Sequence, residues 1–243
     1  MLILFLAGAA TALATGVGAI PVFFLGERAE ALRPVLLGAA AGVMGVASIA
    51  GLLLPGLDEG SAASVAGGAA VGIVFLLVAR RAISRREEHL HRARREGLAT
   101  SVLVFVVLFV HSLPEGFAIG TAYASDTEGL SLFVILAIAI QNIPEGTSIA
   151  IPMSVAGFSR SRQFWVAVGT SAPQPIGALV AYALVSEVKA LLPFSFGFAA
   201  GAMLALIFVE LLPQAWRGGP AAGLAGVAIG GGLMLAISAV LGV

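Results

Sequence analysis

Two stretches of this chain carry residues that could do chemistry together. His111-Ser112-Leu113-Pro114-Glu115-Gly116-Phe117-Ala118-Ile119-Gly120 is followed thirty residues later by Gln141-Asn142-Ile143-Pro144-Glu145-Gly146-Thr147-Ser148-Ile149-Ala150, and the Pro-Glu-Gly core is identical in both. On a helix, residues four apart share a face, so His111 aligns with Glu115 and Gln141 with Glu145. Two such helices facing each other would bring an imidazole nitrogen, an amide oxygen and two carboxylates to one point. These are nitrogen and oxygen donors suited to zinc, iron(II), manganese and similar ions. Pro114 and Pro144 lack a backbone N–H, which interrupts the helical ladder and frees the carbonyls of Val110 and Ile140.

Composition says what must position them. The chain has 243 residues, 59% hydrophobic and 11% charged, with a mean hydropathy of +1.05. A soluble domain carries about a quarter charged residues, so this chain reads as an integral membrane protein. A spanning helix takes about 20 apolar residues. Apolar runs fall at Leu2–Leu25, Pro34–Leu57, Ala62–Ala82, Ala99–Tyr123, Gly129–Met153, Phe164–Val188, Phe194–Leu212 and Ala221–Leu241. The fold class is therefore all-α, with eight transmembrane helices in one domain over residues 1–243. Met1–Phe24 lacks the positive n-region of a signal peptide and reads as the first span. Cysteine is absent, which excludes disulfides and thiolate ligands.

Charge sets the expected orientation. The loops after spans 1, 3, 5 and 7 hold all twelve arginines, and those on the other side hold only Lys189. The positive-inside rule places the arginine side in the cytoplasm and both termini outside. Five acids accompany the arginines, leaving a net +7, while Asp58, Glu59, Asp126, Glu128 and Glu187 leave −4 opposite. That acidic mouth either concentrates cations or is ordinary loop solvation. The long basic loop at residues 80–97 holds His89 and His91; it reads as a solvated linker near anionic headgroups, or as a collector of metal. Gly38 with Gly42, and Gly68 with Gly72, have the spacing of close helix packing.

Both motif copies fall at the centres of consecutive, antiparallel spans, the arrangement of a substrate site at an inverted-repeat interface. A carboxylate there costs about 2.5–3.5 kcal/mol on insertion scales. No Lys or Arg lies in either span, so Glu115 and Glu145 need a cation or must be protonated.

The paired His/Gln-x-x-Pro-Glu-Gly motifs resemble those of the ZIP (Zrt/Irt-like) metal transporters. The likeness extends to the eight spans, the outside termini and the basic third loop. It also covers Leu52-Leu53-Leu54-Pro55 at the end of span 2 and Gly201-Ala202-Met203-Leu204 in span 7. It implies import of a divalent ion, zinc first and then iron, manganese or cadmium, into the cytoplasm across the cell's inner (plasma) membrane. It maps the main metal site onto His111, Glu115, Gln141 and Glu145, and a release path onto Glu210, unless that carboxylate simply snorkels at its helix end. Gln141 in place of a second histidine resembles a bacterial, GufA-like branch. Ser112 stands where the family often has Asn, and Gln174-Pro175 where it often has Glu-Pro. These departures put in doubt a second, adjacent metal involving Ser112, Asn142 and Gln174.

The partners so implied are the transported ion and the bilayer, with room for a homodimer; neither nucleic acid nor a resident cofactor is expected. A proton-coupled carrier of another small solute remains open, because midplane carboxylates also relay protons. An intramembrane hydrolase does not fit: His89, His91 and His111 supply no His-Glu-x-x-His, and no Gly-x-Ser-x-Gly motif surrounds Ser112 or Ser148.

Overall fold

A computed structural model describes the backbone of residues 1–91 and 96–243, and the side chains of these residues except 27, 83–91 and 96–108. The described chain is helical throughout, without a strand. Its long helices are α1 (Leu2–Leu25), α2 (Arg28–Asp58), α3 (Ala62–His91), α4 (Glu96–Ala124), α5 (Leu130–Val155), α6 (Arg160–Glu187), α7 (Lys189–Gly218) and α8 (Pro220–Leu241). Among the described residues seven helical segments are long and apolar enough to cross a membrane; α4 carries the first of the two motifs. The apolar run ends at Ala82, yet α3 continues as helix to His91, since Arg, Glu and Leu are good helix formers. The side chains of His89 and His91 lie outside the described residues.

Proline shapes these helices unevenly. α4 and α5 run as helix straight through Pro114 and Pro144, so the interruption expected there does not break either one. α6 does break, at Ser171–Ala172, ahead of Pro173 and Pro175, neither of which can donate back to the preceding turn. α2 and α7 instead loosen into π-turns, at Ile49–Leu53 before Pro55 and at Ile207–Leu211 before Pro213. Such one-residue expansions gather at functional sites.

Four close pairings organise the bundle: α1 with α5, α4 with α6, α2 with α8 and α3 with α7. In the last three pairs the glycine contacts advance together along both chains, and between α1 and α5 the hydrogen bonds of Asn142 to the Thr11 carbonyl and of Thr147 to the Gly18 carbonyl do the same, so the partners run parallel. A Cβ on Gly38 would strike the Gly223 carbonyl, and one on Gly42 the carbonyl of Val227. The same holds for Gly68 against Phe194 and Gly72 against Phe198, so both spacings noted in the sequence are backbone contacts.

The ends of the bundle differ. Arg33 of α2 meets Gln214 of α7 at 3.2 Å, and Arg160 of α6 donates to the Phe23 carbonyl, which puts arginines from several helices at one end. The exposed Trp165 and Trp216 lie at that same end. At the other end Ser125 donates to Glu59, and Lys189 lies 3.9 Å from Asp126.

Candidate metal centre

The glycine of each Pro-Glu-Gly core decides where its neighbouring glutamate sits. A Cβ on Gly116 would collide with the Gln174 carbonyl of α6, and one on Gly146 with the Thr15 carbonyl of α1. Only glycine lets these backbones touch, and the touching seats Glu115 and Glu145 in the interior. Both are buried, together with His111, Gln141, Asn142 and Gln174.

Around Glu115 the polar groups are well connected. Its Oε1 accepts from Gln141 Nε2 at 2.6 Å, and its Oε2 from Gln174 Nε2 at 2.8 Å; Ser112 also hydrogen-bonds to it. Gln174 lies in the first turn after the α6 break, where the Ser171 hydroxyl meets the Thr15 hydroxyl of α1 at 2.6 Å. The Gln174 amide oxygen takes Thr11 Oγ1 at 2.8 Å and Asn142 Nδ2 at 3.1 Å. Asn142 Nδ2 also donates to the Thr11 carbonyl at 2.7 Å.

The remaining donor atoms are less satisfied. Gln141 Oε1, Glu145 Oε1 and His111 Nδ1 are buried without any hydrogen-bond partner. Buried polar atoms are normally paired, so three orphans on three residues of the two motifs are a chemical signal. All three can ligate a metal ion. The ionisable neighbours of Glu145 are the carboxyls of Glu115 and Glu210, so three acidic groups converge there. His111 Nε2 lies 3.7 Å from Glu210 Oε2. Among the described residues no three His, Asp or Glu side chains stand close enough to hold an ion as they are.

The structure thus brings Ser112, Glu115, Gln141, Asn142 and Gln174 into one network. It also draws Glu210 toward His111 from α7, where the π-turn Ile207–Leu211 aims it inward. Thr11, Thr15 and Ser171 were not singled out in the sequence. A threonine or serine in an apolar helix commonly bonds to its own helix, and only the register of α1 against α6 gives these another role.

Sequence comparison finds relatives of this chain. The family profile described as ZIP zinc transporter matches residues 78–238. The zinc transporter GufA of Myxococcus xanthus is 32% identical, over 85% of this chain and 85% of that protein. The zinc transporter ZIPB of Bordetella bronchiseptica is 33% identical, over 98% of this chain and 81% of that protein. A putative zinc transporter of Arabidopsis thaliana is 35% identical over 86% of this chain, which spans 34% of the plant protein's length.

Proposed function

The chain belongs to the ZIP zinc transporter family, and from that premise we propose that it carries divalent transition-metal ions, zinc foremost, through a site between α4 and α5 at the bilayer midplane. It is a multi-pass membrane protein and a transporter, not an enzyme. The observation that carries the site is the trio of partnerless buried atoms, His111 Nδ1, Gln141 Oε1 and Glu145 Oε1, beside the carboxylate of Glu115. A divalent ion would satisfy all of them and offset the two negative charges, and the surrounding helices exclude the water that could otherwise do so.

The pairings support a finer reading, with α4 as the eighth span and the chain as one domain. Exchanging α4 with α5, α1 with α6, α2 with α7 and α3 with α8 turns each close pair into another close pair, the pattern of an inverted repeat. The arginine end is cytoplasmic, the membrane is the cell's inner (plasma) membrane, and movement is inward. Purified protein in liposomes, offered zinc, iron(II), manganese and cadmium separately, is expected to accumulate zinc fastest. Uptake no faster than in protein-free liposomes for every ion, with proton flux instead, would overturn the metal reading in favour of a proton-coupled carrier.

One ion per chain is the expected stoichiometry. Gln174 is a neutral amide that already donates to Glu115 and accepts from Thr11 and Asn142. In a Gln174→Glu variant the new carboxylate would still accept from Thr11 and Asn142. It would also stand against Glu115 as a further negative charge, easing the repulsion between two adjacent cations. Elemental analysis should give one zinc per wild-type chain and a count rising toward two in Gln174→Glu. Two zinc ions in the wild type, or no rise in the variant, would refute it.

A further inference from the structure

Glu210 connects the buried site to the arginine end of the bundle. Its Oε2 faces His111 Nε2 at 3.7 Å, and its side chain is 17% exposed. Its Oε1 lies 3.5 Å from Gln214 Nε2, while Gln214 Oε1 accepts from Arg33 Nη2 at 3.2 Å. Gln214 and Arg33 also line a cavity of about 470 Å³, with Glu30 and Arg217. A cation leaving His111 toward that cavity would pass Glu210.

The packing of α3 on α7 puts a fixed positive charge beside that step. A Cβ on Gly72 would strike the Phe198 carbonyl, and one on Gly201 the Ala69 carbonyl, so Gly72 and Gly201 lie opposite each other on parallel helices. Eight residues further along each helix, about two turns, Arg80 comes level with Val209. The extra residue of the Ile207–Leu211 π-turn draws Glu210 into that level. The Arg80 guanidinium accordingly lies within Coulombic reach of both Glu210 and His111. Arg80 itself is exposed.

We propose that Arg80 is a positioning residue for release: a tethered cation that repels the ion arriving at Glu210 and takes over its carboxylate once the ion has gone. This rests on the transport reading above. A carboxylate on the exit path, left alone, would retain a divalent ion. A guanidinium, always charged, shortens that stay through like-charge repulsion and then occupies Glu210 against rebinding from the same side. No bond is made or broken; two cations exchange on one carboxylate.

The test uses full-length protein in liposomes, with initial rates measured over a range of zinc concentrations and bound zinc counted after rapid desalting. Relative to wild type, Arg80→Gln should lower kcat roughly tenfold, lower KM as well, and retain more zinc. Arg80→Lys, which keeps the charge, should recover most of the rate. Wild-type kcat and KM in Arg80→Gln would overturn the proposal. So would equal losses in the Gln and Lys variants, which would mark a structural role. A wild-type protein that moves no zinc would instead sink the transport reading itself.

Discussion

Replacing Glu145 with alanine should weaken zinc binding by a factor of a hundred to several thousand while leaving the fold intact. The size follows from burial. Removing one partner from a buried, charge-balanced set costs about 3–5 kcal/mol, and each 1.4 kcal/mol is about a tenfold change in affinity. With Glu145 gone, Glu115 alone would face two positive charges where no water compensates. The fold should tolerate the change because Glu145 Oε1 has no partner in the protein to lose. Removing it also relieves the proximity of Glu115 and Glu210, so the unloaded variant should unfold at a temperature no lower than wild type. Zinc titration calorimetry on detergent-purified protein reads the affinity. A dissociation constant within about threefold of wild type, less than 1 kcal/mol, would refute the assignment of Glu145.

Gly146→Ala should damage the protein more than any other single-methyl addition along α5. The new Cβ would overlap the Thr15 carbonyl of α1, a backbone atom that no rotamer change can move aside. Overpacking a well-filled interior typically costs about 1–3 kcal/mol, and a backbone-to-backbone collision belongs at or beyond the top of that range. Gly67→Ala is the control, since its Cβ would meet nothing within 4 Å. There the better helix propensity of alanine should raise stability by up to about 1 kcal/mol. Thermal unfolding with size-exclusion profiles compares the two. Equal midpoints would show that α1 and α5 are not held as described.

The repeated motif is readable from sequence because it is written in rare letters. Carboxylates, prolines and a histidine inside apolar runs have few innocent explanations, whereas the glycines after Glu115 and Glu145 gain their meaning only from what lies opposite. The charge pattern likewise anticipates bundle ends of different chemistry, with arginines at one and Glu59, Asp126 and Lys189 at the other. Glu210 is harder. In sequence it is a carboxylate toward the end of an apolar run, as compatible with snorkelling as with function. Its inward aim depends on a π-turn whose only written trace is Pro213 two residues beyond the turn's end, and Pro144 shows that a proline alone does not create one. The extent of α3 is hidden for a related reason: polarity marks where a helix leaves the apolar layer, not where it stops. Thr11 is illegible because its contact with Gln174 joins residues 163 positions apart.

The two exposed tryptophans have a consequence for how the protein sits in membranes of unequal thickness. Indole rings prefer the headgroup level, and both rings of this chain lie at the arginine end, where guanidinium groups also favour anionic phosphates. That end is moored at a fixed depth. The opposite end has no tryptophan; it carries Glu59 and Asp126 on connecting segments between helices and Lys189 at the first residue of α7. Any mismatch between helix length and hydrocarbon thickness would therefore be taken up there. In a thicker bilayer the acidic connections would be drawn toward the lipid, while the arginine end and the route past Glu210 kept their depth.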